Sequence, residues 1–233
     1  MSERPVVLVT AASKGIGAAC ARELAARGWR VALFARSAAV DALAGELGGR
    51  ATRGDIAAAV DLDRLVDETL RDWGRIDGAV LSTGHPPKGA LLDLADDDWR
   101  AGLDLVLLPV VRIARRITPA LRERHGAIVN ISSFAAFEPD ARFPVSSALR
   151  AALASYCKLY ADAEAKHGVR MNNLLPGFVD SLPVKPENLP AIPMRRYARV
   201  EEIAKTAAFL LSADAGYVTG QNLRADGGLT RSV

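Results

Sequence analysis

Residues Val6-Val7-Leu8-Val9-Thr10 form a short apolar run. Ala11-Ala12-Ser13-Lys14-Gly15-Ile16-Gly17 then carries it through small residues into a helical pattern. This order of strand, tight turn and helix constrains the chain more than any other feature. Successive backbone N–H groups in such a turn and the positive end of the helix opening near Gly15 point at one place and favour an anion there, as in sites that hold a nucleotide pyrophosphate. A Cβ at Gly15 or Gly17 would stand between the backbone and the phosphates. A loose glycine pattern is weak by itself, and a plain strand–turn–helix connection also fits.

Apolar, β-branched-rich segments of strand length recur at 6–10, 30–35, 76–81, 126–131, 169–175 and 222–225, with a further short one at 50–53. Helical patterns are expected at 16–27, 38–47, 56–73, 96–124, 145–167 and 200–211. The alternation predicts an α/β fold: one domain over residues 1–233, a Rossmann-type doubly wound parallel sheet of about seven strands with helices on both faces. Residues 176–193 carry five prolines and no period. This stretch reads as a loop, and residues 176–198 as a substrate lid over the carboxyl end of a strand.

With 233 residues, half of them hydrophobic, the chain can bury one sizeable core. Met1-Ser2-Glu3-Arg4-Pro5 lacks the order of a signal peptide, and the apolar run 105–113 is interrupted by Arg112 and too short to span a bilayer. A cytoplasmic protein with no membrane contact is expected. Cys20 and Cys157, the only cysteines, sit in expected helices without metal-ligand spacing and read as core thiols. The net charge of +3 comes with Arg112, Arg115, Arg116, Arg122 and Arg124 on one helix. Lacking interleaved aromatics, they read as a solvated face and not as a nucleic-acid patch.

Several segments, in order, resemble the short-chain dehydrogenase/reductase family over essentially the whole chain. Thr10-Ala11-Ala12-Ser13-Lys14-Gly15-Ile16-Gly17 is similar to its Thr-Gly-x-x-x-Gly-x-Gly turn, and Gly54-Asp55-Ile56 to the segment whose carboxylate meets the adenine amino group. Ser82-Thr83-Gly84 stands where the family has Asn-Ala-Gly. Asn130-Ile131-Ser132-Ser133 resembles the strand ending at its catalytic serine. Arg170-Met171-Asn172 and Pro176-Gly177-Phe178-Val179-Asp180-Ser181 resemble the strand and loop at the nicotinamide end, and Tyr217-Val218-Thr219-Gly220-Gln221 with Asp226-Gly227-Gly228 the closing strand.

The departures lie at the chemistry. The family places a tyrosine thirteen residues after its serine and a lysine four further on. Counting from Ser133 gives Ser146 and Arg150. No other register supplies the pair, because Tyr156, Tyr160, Tyr197 and Tyr217 are followed at the fourth position by Tyr160, Glu164, Glu201 and Gln221. The family's relay asparagine falls near Val106, and Ala11 replaces the first turn glycine. An aliphatic hydroxyl is a far poorer proton donor than a phenol of pKa about 10. Ser146, with Ser147, reads either as part of the site or as a small-residue helix start. Arg150 keeps a positive charge that can hold the nicotinamide ribose and stabilise an oxyanion beside Ser133, but it is a weak choice for proton transfer. His85, in Thr83-Gly84-His85-Pro86-Pro87, is either a replacement proton donor or a loop histidine with no chemical duty. His125 and His167 read as residues at helix ends.

The catalytic candidates are therefore Ser133, Ser146, Arg150 and His85. Cofactor contacts implied by the resemblance are Ser13, Lys14, Gly15, Ile16, Gly17, Arg36, Ser37, Asp55, Ile56, Ser82, Thr83, Gly84, Arg150, Pro176, Gly177, Val179 and Ser181, with no metal site. The strand 30–35 ends without a carboxylate for a free ribose 2′-hydroxyl. Arg36-Ser37 follow, with Lys14 in the glycine turn, so NADP(H) is favoured over NAD(H). The leading expectation is an NADP(H)-dependent oxidoreductase acting on the carbonyl or alcohol group of a small molecule through an altered centre. A redox-inactive subunit partnering an active homologue, and a dehydratase- or isomerase-type enzyme, remain open beside it. A homodimer or homotetramer through the helices 96–124 and 145–167 is expected.

Overall fold

The computed structural model describes residues 4–232; Met1–Glu3 and Val233, and with them the reading of the N-terminus, lie outside the described residues. Seven strands, β1 (Val6–Thr10), β2 (Arg30–Ala35), β3 (Arg50–Arg53), β4 (Gly78–Leu81), β5 (Ala127–Ile131), β6 (Arg170–Pro176) and β7 (Asn222–Ala225), form one sheet in the order β3-β2-β1-β4-β5-β6-β7. Every pairing is parallel. The strand order reverses direction at β1 and β4, so loops leaving these strands diverge and open a crevice along the carboxyl edge.

Helices α1 (Gly15–Ala26), α2 (Ala39–Leu47) and α7 (Val200–Leu211) cover one face, and α3 (Ala59–Trp73), α5 (Leu108–Arg124) and α6 (Pro144–Glu164) the other. Alternate strand residues go to opposite faces: Val7, Val9 and Val129 to the first, Leu8 and Ile128 to the second. The strands are buried on both sides and therefore read as continuous apolar runs. Small residues let α1 and α7 approach closely, with Ala18, Ala19, Ala204, Ala207 and Ala208 all in one core. Arg170 reaches from β6 to donate to the Leu210, Leu211 and Ser212 carbonyls and so closes the end of α7.

Three expected elements differ in detail. The stretch 96–124 is two helices, α4 (Asp96–Val106) and α5, broken at Leu107. Pro109, lacking an N–H, cannot bond back to Leu105, and its ring disfavours a regular helix before it. Helix α3 begins at Ala59 instead of residue 56, because Asp55 Oδ1 accepts the Ala57 N–H at 3.0 Å and holds a turn there. The proline-rich stretch contains a 3₁₀ helix at Pro186–Ala191.

The arginines of α5 are not simply solvated. Arg116 pairs with Asp63 and Asp67, Arg122 makes two 2.7 Å bonds to Glu164, and Arg112 donates to the Ala57 carbonyl. The apolar stripe of this helix, with Val110, Ile113, Ile117 and Leu121, is spent on the core. It is therefore not left over for a partner. Exposed apolar side chains lie instead at Phe209, Tyr217 and Leu223 beside the edge strand β7, and at Leu159 on α6. No helix among the described residues is long and apolar enough to cross a membrane. Cys20 and Cys157 are buried, and burial pushes both thiols up to about 12.

Candidate active site

All seven parallel strands end on one edge, and the sequence-derived candidates gather along it. At β1, the turn is tied to the neighbouring strand by the Ala12 N–H donating to the Phe34 carbonyl at 3.1 Å. Lys14 is the exposed N-cap of α1, and its side chain does not cap the helix. Gly15 has φ +57°, and a Cβ there would meet Ser181 Cβ at 3.2 Å, so the loop after β6 already packs over the turn. A Cβ on Gly17 would run into the Ala11 carbonyl oxygen, which fixes glycine where helix meets strand. Ala11 adopts φ +50°, the left-handed conformation that the family gives to glycine, at a cost of about 1 kcal/mol. Replacing Gly17 by alanine is expected to cost about 1–3 kcal/mol and to loosen the turn, visible as a lower urea midpoint; an unchanged midpoint would show that the turn yields freely.

Arg36 and Ser37 are exposed at the end of β2. Lys14 and Arg36 have no ion-pair or hydrogen-bond partner among the described residues. Ser37 Oγ accepts the Ala39 N–H at 3.3 Å. After β3, Asp55 spends one carboxylate oxygen on Ala57 and leaves the other toward solvent, and Ile56 packs partly against the core. Ser82 is buried at the end of β4, where its carbonyl accepts the Thr10 hydroxyl at 2.6 Å. Gly84 is exposed. Beyond β6, Pro176 is buried, and a Cβ on Gly177 would come within 2.9 Å of the Asp226 backbone. Val179 turns its side chain into the core, leaving only its backbone for a ligand. Ser13 and Ile16 are half-buried beside the turn.

Arg150 is the centre of the arrangement. It lies one helical turn beyond Ser146 on α6 and is only 6% exposed. Its Nε donates to Ser146 Oγ at 3.1 Å, Nη1 to the Ile131 carbonyl at 3.0 Å and Nη2 to Thr83 Oγ1 at 3.3 Å. The guanidinium thus joins α6 to the carboxyl ends of β4 and β5. No carboxylate accompanies it, and burial lowers its pKa to about 10, which leaves it charged at neutral pH. Ser146 Oγ already accepts from Arg150, so its own proton is free to be donated into the cleft. Ser133 Oγ accepts the Ala135 N–H at 3.2 Å and caps a 3₁₀ turn, Phe134–Ala136. Ser147 is structural: buried, it accepts the Asp140 N–H at 3.2 Å and holds the loop before α6.

None of the four tyrosines offers a phenol to this group. Tyr160 shares a 2.6 Å hydrogen bond with Thr118 on the far side of α6, and burial pushes it up to about 12. Tyr156 is also raised, mainly by burial. Tyr197 bonds Asn188 at 2.7 Å and stacks on Phe178, while Tyr217 is fully exposed. His85 is different. It sits at the solvent edge of the cleft, and its pKa is lowered first by partial burial, then by the charges of Lys88 and Arg150. His125 is in αL conformation at the end of α5, with Nδ1 3.0 Å from the His167 carbonyl, at the opposite edge of the sheet.

Several contacts were not legible in the sequence. The Arg150–Thr83 bond is one. Another is an amide ladder across three strands, running from buried Asn130 and Asn173 to exposed Asn222, in which Asn130 donates to Asn173 and Asn173 to Asn222, each at 2.8 Å. The residues are visible in β5, β6 and β7, but only the register brings them together. Two surface clefts also flank the edge. One of about 560 Å³ between α1 and α7 opens beside Lys14, and one of about 500 Å³ lies behind Phe178 and Met194. Neither is lined by Ser146 or Arg150, whose chemistry faces the strand ends.

Residues 10–230 match the family model described as enoyl-(acyl carrier protein) reductase. Over 96% of its length the chain is 36% identical to a 3-oxoacyl-[acyl-carrier-protein] reductase of Synechocystis sp., covering 96% of that protein. It is 33% identical to nodulation protein G of Rhizobium sp., with 95% of each chain covered. Among solved structures it is similar to the L-sorbose reductase of Gluconobacter frateurii complexed with NADPH and L-sorbose (TM-score 0.89, 27% identity, 99% and 98% of the two chains covered). An NADH-dependent reductase responsible for alginate metabolism is also similar (TM-score 0.91, 28% identity, 99% and 98% covered). Fold, motif order and relatives agree that this chain belongs to the short-chain dehydrogenase/reductase family.

Proposed function

We propose that the chain is an NADP(H)-dependent reductase of a small carbonyl compound, working through Ser133, Ser146 and Arg150 in place of the family's serine, tyrosine and lysine. The observation that carries this reading is the Arg150 network. A buried guanidinium without a carboxylate is costly to fold around, and here it is anchored on Ser146, Ile131 and Thr83 where the family's catalytic lysine falls. NADPH would lie along the strand ends and supply the hydride. Lys14 and Arg36 would hold its adenosine end, with Ser13, Gly15, Ile16 and Gly17 at the pyrophosphate. Ser37, Asp55 and Ile56 would lie near the adenosine, Ser82, Thr83 and Gly84 beneath the ribose, and Pro176, Gly177, Val179 and Ser181 at the nicotinamide. The free protons of Ser146 and Ser133 would polarise the substrate oxygen, with Arg150 stabilising the charge that develops on it. His85, open to solvent and able to be reprotonated from it, would deliver the proton. Residues 176–198 would act as the lid.

The choice of phosphate-bearing cofactor rests on Lys14 and Arg36, two cations without partners beside a turn that lacks a strand-end carboxylate. Of the two similar solved structures, one is complexed with NADPH and the other is NADH-dependent. NADPH is expected to bind more tightly than NADH, and Arg36→Asp to reverse the order. The change removes a charge-assisted bond of roughly 1.5–3 kcal/mol, about ten- to a hundredfold in affinity. Fluorescence titration of both cofactors against both proteins checks this, and an unchanged ratio would refute it. Absence of any NADPH binding would refute the function itself and favour a cofactor-free subunit. Self-association as a homodimer or homotetramer is also proposed, now on the exposed Phe209, Tyr217 and Leu223 beside the β7 edge. Light scattering at micromolar concentration should give at least twice the 24.7 kDa chain mass.

A further inference from the structure

We infer that the cleft is built for an anionic substrate, a carbonyl compound bearing a carboxylate, which seats among Lys88, His85 and Arg150 at the N-terminus of α6. This rests on the function proposed above and adds the chemical class of substrate. Lys88 Nζ stands 4.9 Å from the centre of the Phe143 ring, one residue before α6 begins. That contact holds the ammonium beside the start of α6, since a cation over an aromatic face is held without losing its charge. Lys88 has no ion-pair partner among the described residues. Arg150 approaches the same place from the second turn of α6, where its Nη2 reaches Thr83, two residues before His85.

Both acidic groups of residues 134–143, the stretch leading into α6, are already used. Asp140 is bound by Arg142 through several hydrogen bonds, and Glu138 accepts the backbone N–H groups of Arg231 and Ser232. No side chain caps the N-terminus of α6, a helix of 21 residues, so its positive end adds to the field. Phe143 and Phe178 flank the region, with Arg142 5.5 Å from each ring centre, and favour an apolar body behind the carboxylate. Burial comes first in lowering the His85 pKa, and the same two cations that would hold the anion add to it. An anion between them offsets that second contribution, so the imidazole pKa rises when substrate arrives.

Benzoylformate and its neutral methyl ester serve as probes, titrated calorimetrically into the wild-type protein and Lys88→Glu, with and without NADPH. The His85 imidazole is followed by NMR in the same samples. The acid is expected to bind at least tenfold more tightly than the ester and to raise the His85 pKa, and both effects should disappear in Lys88→Glu. Lys88 is exposed and outside the core, so the variant should fold normally. Equal binding of acid and ester, no binding of either, or an unmoved His85 would overturn the anionic assignment. NADPH affinity, read separately by fluorescence, tells that outcome from a failure of the reductase reading.

Discussion

Replacing Arg150 by methionine is expected to destabilise the protein by a few kcal/mol and to reduce NADPH-linked carbonyl reduction by at least a hundredfold. The guanidinium is buried, charged at pH 7 and without a carboxylate, and burial takes its pKa from 12.5 to about 10. The sign follows from linkage. Between those two values the unfolded chain holds the proton and the folded chain does not, so stability rises with pH across that window. Below pH 10 the folded protein carries the full cost, on the order of 3 kcal/mol. Methionine removes this cost but forfeits three charge-assisted hydrogen bonds, roughly 1.5–3 kcal/mol each, and leaves the Ile131 carbonyl unpaired. The net expectation is a loss of about 2 kcal/mol or more, a fall in Tm of several degrees for a chain of this size. Loss of the cation beside a developing oxyanion accounts for the fall in rate. Scanning calorimetry and a turnover assay on the same preparation decide the matter. A marked loss of stability with unchanged turnover would make Arg150 a structural clamp between α6, β4 and β5.

The bonds of this residue reach Ile131 and Thr83, segments far apart in the chain, which is why the sequence could show its place but not its surroundings. Strand and helix positions follow from apolar period, a property of each segment, and β1, β2, β3, β7 and α7 lie where that period puts them. The glycines at 15 and 17 were legible for the same reason: the demand for no Cβ is local. The break at Leu107 was missed although Pro109 is in plain view, because the helical period runs on across it and outweighs a single residue. The fate of the α5 arginines depended on Asp63, Asp67 and Glu164, which only packing brings near. At the site, counting from Ser133 reached Ser146 and Arg150. It could not reveal that Thr83, standing where relatives carry another residue, is the one that meets the guanidinium. Lys88 carried no signal at all, since its meaning lies in a ring, Phe143, fifty-five positions away.

Restoring the family pair should create a stronger reductase only when both changes are made. Ser146 and Arg150 touch through a 3.1 Å hydrogen bond and share one face of α6, so tyrosine and lysine at these positions would stand together at the strand ends. Ser146→Tyr alone places a phenol against a guanidinium that is still held by Ile131 and Thr83. Arg150→Lys alone supplies an ammonium with no phenol to tune. A phenol approaches a useful pKa only with a cation close by and an oxyanion site before it, and a positioned general acid contributes about 10²–10⁴-fold. The double variant is expected to exceed the wild type in kcat by at least tenfold on a neutral ketone, with each single change within about threefold, a strongly non-additive pattern. The pH profile should move with it: the wild type loses rate as pH rises through the lowered His85 pKa, whereas the double variant holds its rate to higher pH, where the phenol still carries its proton. A double variant that binds NADPH as well as wild type but gains no rate and keeps the wild-type profile would show that Ser146 and Arg150 do not face the reacting carbonyl. In that case His85 and Lys88, beside the start of α6, would be where the chemistry lies.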